Sequence, residues 1–242
     1  EECFMRLDKL VSHGAGISRK QAAQVIRGSR VLVNGEAVTR PEAHCGEDAL
    51  VTLDGRPLAS GKRYYMLNKP LGMVCATRDS KEPTVLELLP AHLRRGIFPA
   101  GRLDKDTVGF VLLTNDGAFA HRVLSPKQRV GKTYRVTLNA AFSLEMLQLA
   151  FSQPMDLGNG DLTSPARLRL LQGGNTPVAE LVIYEGRFHQ VKRMFSRFGL
   201  TVTALERTAI GGLALDPDLA PGQWKPLTQE ELDMVFSDAS KP

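Results

Sequence analysis

The chain has 242 residues but only three cysteines, Cys3, Cys45 and Cys75. An odd number without C-x-x-C spacing does not make a disulfide framework, and such sparse use fits a reducing compartment, so a cytoplasmic location is expected. Cys45 follows His44, yet no second pair at zinc-ligand spacing accompanies them, and no metal site is expected. No apolar run approaches the length that crosses a bilayer, so no membrane partner is expected. The opening Glu1-Glu2-Cys3-Phe4 is acidic with no apolar stretch behind it, unlike a signal peptide. Neither G-x-G-x-x-G nor a Walker loop occurs, which argues against a nucleotide or dinucleotide cofactor, and none is expected.

What remains is an ordinary folded composition. Hydrophobic residues make up 43% and charged residues 24%, enough for a core without metal or disulfide staples. The net charge of +5 and a pI near 9.2 favour a polyanionic partner without naming one.

From Met5 the pattern reads as a short helix with Leu7, Leu10 and Val11 on one face. Ser18 with Gln21 makes a capping-box start for a second helix, whose apolar face is Ala22, Val25 and Ile26 and whose end is Gly28. Two hairpin signals follow, Asn34-Gly35 between Val31-Leu32-Val33 and Glu36-Ala37-Val38, and Asp54-Gly55 after Leu50 to Leu53. Arg6, Lys9, Arg19, Lys20, Arg27 and Arg30 face the single acid Asp8 in this stretch, while Glu36, Glu42, Glu47, Asp48 and Asp54 restore the balance beyond it. On charge alone, a solvated helix face and a phosphate-neutralising footprint are equally good readings. The order of these segments over residues 5–60 resembles the S4 RNA-binding module. That resemblance implies that the six cations, the Ser18–Arg27 helix and the Asn34-Gly35 hairpin approach structured RNA.

Ala59-Ser60-Gly61-Lys62 is the expected boundary, with a second domain over residues 64–236. Strand-like runs cover Tyr64 to Leu67, Phe110 to Leu113, Thr133 to Leu138, Ala166 to Leu171 and Ala179 to Tyr184. Helical patterns cover Ala118 to Leu124, Ser143 to Phe151 and Phe188 to Phe198. Without regular βαβ alternation, an α+β domain on a largely antiparallel, mixed sheet fits best.

Gly101-Arg102-Leu103-Asp104-Lys105-Asp106-Thr107 precedes the apolar run Val108 to Leu113. Alone, Asp104 reads as a turn or capping acid; flanked by Arg102 and Lys105 it is also a carboxylate available as a nucleophile. Tyr134 reads as a strand aromatic, or as the flat side chain that holds a base out of its stack. His189, Lys192, Arg193 and Arg197 lie off the apolar stripe Val191, Met194, Phe195 and Phe198, as a solvated face or as anion contacts.

Phe98-Pro99-Ala100-Gly101-Arg102-Leu103-Asp104, then Thr114-Asn115-Asp116-Gly117, Lys132-Thr133-Tyr134 and Gly186 to Met194 together resemble the RsuA family of pseudouridine synthases, over about residues 64–227. An S4 module in front is that family's usual arrangement. Tyr65 to Pro70, Asp161 to Ala166, Ile210-Gly211-Gly212 and Leu219 to Gly222 extend the likeness toward the branch acting on small-subunit (16S) rather than large-subunit ribosomal RNA.

The resemblance implies an isomerase that turns uridine into pseudouridine, with Asp104 the nucleophile, Lys192 paired to it and Tyr134 stacked on the flipped base. Arg102 then fills the vacated space or contacts the backbone. Val108 and Phe110 depart from the family pattern and put pocket shape in question. A monomer acting on ribosomal RNA, naked or within a partly assembled small subunit, is expected. Two alternatives stand beside this reading. One is a ribosome-assembly RNA-binding factor without catalysis. The other is a glycosidase-like hydrolase pairing Asp104 with Asp106 or Asp116.

Overall fold

The computed structural model describes residues 4–46, 49–58, 61–91 and 93–237. It divides into two compact units, Glu1–Arg63 with Pro90–Ile97, and Tyr64–Leu89 with Phe98–Pro242. Ala59, Ser60, Glu47, Asp48 and Cys3 fall outside the described residues.

The first unit runs β1 (Phe4–Arg6), α1 (Leu7–Ala15), α2 (Arg19–Arg27), β2 (Val31–Val33), β3 (Glu36–Ala37), β4 (His44–Gly46), β5 (Val51–Leu53) and β6 (Arg56–Pro57). Met5 is not helical as the periodicity suggests; it pairs with Cys45 in a two-stranded ribbon, and the helix starts at Leu7. Leu7, Leu10 and Val11 do share a face and pack with Ala22, Ile26, Val31 and Val51. Ser18 caps α2 through the expected reciprocal box with Gln21. Gly28 follows the helix in an ordinary conformation, and the left-handed residue is Ser29 (φ 56°). Asn34-Gly35 and Asp54-Gly55 both take two positive φ angles, which suits the twist of the strands they join.

The segment Pro90–Ile97 was not separable in the sequence from the second domain. It belongs to the first unit because Arg63 donates to the Leu93 and Arg95 carbonyls at 3.2 and 2.5 Å, and Arg95 donates to Gly14 O at 3.3 Å. Gly16 ends α1 at φ 58°, and a Cβ there would coincide with the Arg95 guanidinium.

The second unit contains β7 (Tyr64–Lys69), β8 (Phe98–Pro99), β9 (Val108–Thr114), α3 (Gly117–Leu124), β10 (Lys132–Leu138), α4 (Leu144–Phe151), β11 (Arg167–Gln172), β12 (Val178–Ile183), α5 (Gln190–Ser196), β13 (Val202–Ile210), β14 (Leu213–Ala214), β15 (Trp224–Pro226) and α6 (Gln229–Phe236). One mixed sheet runs β11-β12-β10-β13-β9-β7-β15, with β14 on β13 and β8 on β9. Every pairing is antiparallel except β13 with β9. This is the α+β domain the sequence implies.

β9 is covered on both faces, so it reads as an unbroken apolar run instead of alternating. Phe110 and Leu112 join Met66, Phe119, Val123, Ile210, Leu232 and Val235 in one core that seats α3 and α6 on the sheet. Against α4 and α5, Phe151 and Phe195 meet edge to face at 5.1 Å.

Candidate active site

A cavity of about 730 Å³ opens in the second unit, a size that suits a small organic group. Its walls come from the Gly101–Thr107 loop, the start of β10, the Glu185–Lys192 segment and β13. Asp104, Tyr134, Lys192 and Arg102, far apart in the chain, all line it.

The loop is held from beneath. Lys69, wholly buried at the end of β7, donates Nζ to the carbonyls of Pro70 (3.1 Å), Lys105 (3.3 Å) and Thr107 (2.7 Å). Burial pushes its pKa down, opposed by the charges of Cys75, Asp106 and Asp104. Leu103 is a buried plug whose N–H donates to the Cys75 thiol at 3.3 Å, and Lys105 O accepts from Gly72 N at 2.9 Å. Asp104 rides on this anchored turn with its carboxylate about one-third exposed.

Lys192 stands between two acids. Its Nζ is 3.7 Å from Asp104 Oδ2 but only 2.5 Å from Asp106 Oδ1, so the hydrogen bond goes to Asp106 and the Asp104 pairing is purely coulombic in this geometry. That bond holds the Asp106 carboxyl below its ordinary range. His189 Nε2 approaches Asp104 Oδ1 at 3.7 Å from the other side. Its backbone is left-handed (φ 49°), which turns the chain into α5 and aims the imidazole at the loop.

Glu185 fixes that corner. Its buried carboxylate accepts from Ser164 N (2.6 Å), Ser164 Oγ (3.1 Å) and Gln190 Nε2 (3.0 Å), while Gln190 Oε1 accepts from Arg187 N at 3.0 Å. Arg193, one of the four candidate anion contacts, does meet a carboxylate, that of Asp161 (3.0 Å), and also donates to the Phe188 and Leu157 carbonyls.

Tyr134 is 7% exposed on β10, beside a register shift in the pairing with β13 that follows Thr133. Buried cations lie close by. Lys132 donates to the Val123 and Val130 carbonyls at 3.0 and 2.8 Å, and burial, with the charge of Arg207, lowers its pKa to about 8. Arg207 donates Nε to Phe110 O at 2.7 Å and leaves Nη2 buried without a partner among the described residues. Gly109 (φ 98°) permits the β9–β13 approach, since a Cβ there would meet Arg207 O at 2.3 Å. Val108 and Phe110 do not line the cavity, so these departures from the family pattern fall in the sheet and core. The sequence assigned no role to Lys69, Lys132, Glu185 or Arg207, although the first three stand in or beside the motifs; a lysine at the end of a strand, as at Lys69 and Lys132, does not show its burial.

Asp116 is no partner carboxylate for Asp104. It caps α3 by accepting from Ala118 N and Phe119 N at 3.0 and 3.1 Å, and accepts from the Tyr64 hydroxyl at 2.8 Å. Among the described residues no cluster of His, Cys, Asp and Glu could hold a metal, and no helix is long and apolar enough to cross a membrane.

Within the first unit the cations are not equivalent. Asp8, buried, accepts from Arg6 (2.9 Å) and from Arg19 (2.9 Å), and Arg30 pairs with Asp54 at 2.5 Å. The Arg6 bond is the largest cause holding the Asp8 carboxyl low. Lys9, Lys20 and Arg27 are exposed, with no ion pair among the described residues.

A carboxylate and a lysine share one cavity with the buried cations Lys132 and Arg207, an arrangement that fits an enzyme acting on an anionic substrate. The chain belongs to the RNA pseudouridylate synthase family, whose model matches residues 63–197, and it carries an S4 domain over residues 5–57. It is similar to the ribosomal small subunit pseudouridine synthase A of Escherichia coli K12, 46% identical over 96% of this chain and 100% of that protein. It is also similar to an uncharacterized RNA pseudouridine synthase of Bacillus subtilis, 43% identical over 96% of this chain and 98% of that one. A crystal structure of a pseudouridylate synthase superposes with a TM-score of 0.67 at 38% identity, covering 96% of this chain and 99% of the other.

Proposed function

We propose that this protein isomerises one uridine of small-subunit ribosomal RNA to pseudouridine, with Asp104 as the nucleophile. The carrying observation is the convergence of Asp104, Tyr134, and the pair His189 and Lys192, from three separate segments, on one cavity. The small-subunit target draws support from the name of the relative that matches nearly end to end.

The reaction needs no oxidant, reductant or group donor. The bond from ribose C1′ to uracil N1 breaks, the ring turns, a bond from C1′ to C5 forms, the C5 hydrogen leaves as a proton and N1 gains one. Asp104 attacks either C1′ or the uracil ring and is expelled again, so the carboxylate is regenerated. Lys192 Nζ and His189 Nε2 flank that carboxylate, each 3.7 Å from one of its oxygens. Tyr134 presents its ring to the flipped base. Lys132 and Arg207 make the floor electropositive, which favours the negative charge that builds on the detached uracil. Arg102, exposed on the loop and without an ion pair among the described residues, is available to the backbone or to the space the uridine leaves. In the S4 unit, Lys20 and Arg27 on α2 and Lys9 on α1 are the phosphate contacts; Arg6, Arg19 and Arg30 contribute less because acids already neutralise them.

Transcribed small-subunit RNA incubated with the protein, followed by pseudouridine mapping, should show one new site. Asp104→Asn should abolish product and keep RNA affinity within about threefold, because one neutralised charge off the phosphate path changes binding little. Product formation by that variant at the wild-type rate would refute the role of Asp104. Release of free uracil would favour the hydrolase.

A further inference from the structure

Phe188 is 74% exposed, more than any other large apolar side chain among the described residues, yet it lines the cavity that holds Asp104. A phenylalanine so placed contributes almost nothing to folding, because the water it displaces is slight. Its ring is stacked on the His189 imidazole, with centroids 3.8 Å apart and planes 19° apart. His189 covers one face, so the exposure belongs to the other face and the edges. Backbone interactions fix the pair: the left-handed turn at His189 sets the direction, and the Phe188 carbonyl accepts from Arg193 Nη1 at 3.0 Å. The inner ring of this step is 3.7 Å from the Asp104 carboxylate, and the outer ring faces solvent at the mouth.

We propose that Phe188 and His189 form a second base-binding subsite, on which a nucleobase adjacent to the target uridine stacks. The inference rests on the reading of the cavity as a flipped-uridine site. A uridine drawn out of its strand leaves a neighbouring base with one unstacked face, and an open aromatic face one ring beyond the reacting centre replaces the lost stack. Arg102 lines the same cavity, exposed, and is placed for the phosphate linking the two nucleotides. Stacking on an aromatic face is tolerant of base identity, so the subsite requires a base and selects weakly among the four.

The test is a cycle between protein and RNA, using the small-subunit RNA fragment in which mapping locates the product. Each nucleotide flanking that uridine is replaced in turn by an abasic one. Wild-type kcat/KM should fall about tenfold for one of the two, the size of one base–aromatic stack. Phe188→Ala should lower kcat/KM on intact RNA by a similar factor and show no further loss on the abasic RNA. Phe188→Trp should keep near-wild-type values, and exchanging the flanking base for another should matter little. Additive losses in the cycle, or wild-type kcat/KM in Phe188→Ala, would overturn the subsite while leaving the synthase reading intact. Absence of product from the wild-type protein would overturn both. Because Phe188 is exposed, its truncation does not threaten the fold.

Discussion

Lys69→Met removes the ammonium that ties the Asp104 loop to the end of β7 while keeping the volume of a fully buried side chain. Three carbonyls lose their donor, those of Pro70, Lys105 and Thr107, the last held at 2.7 Å. Hydrogen bonds from a charged donor contribute about 1.5–3 kcal/mol each, and a buried acceptor left unpaired costs about 1–3 kcal/mol. Against this stands the relief of a buried charge, whose desolvation already depresses the Lys69 pKa. With one short and two longer bonds, the balance is a loss of about 2–4 kcal/mol, measurable as a lower urea midpoint at unchanged m-value. The kinetic effect is larger in kind. Freed of two anchors, the turn relaxes by a fraction of an ångström to an ångström, and misplacement on that scale costs roughly a hundredfold in rate. Single-turnover pseudouridine formation, well below the unfolding midpoint and at saturating RNA, should therefore fall by about two orders of magnitude. RNA affinity should hold, since Lys69 has no exposed surface to offer a phosphate. A variant with wild-type stability and rate would refute the view that Lys69 positions the nucleophile.

The remaining predictions concern charge. Lys132 has a folded pKa of about 8 against an ordinary 10.5, so the unfolded chain binds more protons between those values and the contribution of Lys132 to stability rises with pH across that window. A penalty of about 3 kcal/mol is thus present below pH 8 and relieved toward pH 10.5. The stability of Lys132→Met relative to wild type, from urea titrations at each pH, should fall correspondingly; a pH-independent difference would show that the ammonium is not desolvated. In the S4 unit, Lys20→Ala should reduce the slope of log affinity against log salt by about 1, and Arg30→Ala by clearly less, because Asp54 already pairs with Arg30. Equal reductions would mean that RNA displaces Asp54.

How far the sequence speaks depends on what each residue touches. Ser18 with Gln21 and the two Asx-Gly turns are legible because caps and tight turns are settled by chain neighbours. β13 is not, although it runs nine residues through the middle of the sheet, because its Thr, Ala, Glu and Arg hide the period of two that a strand shows when one face is wet. Arg207 explains the disguise: a cation in a central strand looks like a loop until Phe110 O and the cavity account for it. Asp104 presents the converse case. Nothing local separates it from Asp106 two residues on, and a motif alone assigns Lys192 to it. In space Lys192 bonds Asp106 and stands 3.7 Å from Asp104, so the lysine is shared. On the proposed role of Asp104, a hydrogen bond from Lys192 would occupy a lone pair of the nucleophile, and the bond to Asp106 leaves those lone pairs free of it. On that proposal, Asp106 is the anchor that holds Lys192 beside Asp104 without a hydrogen bond to it.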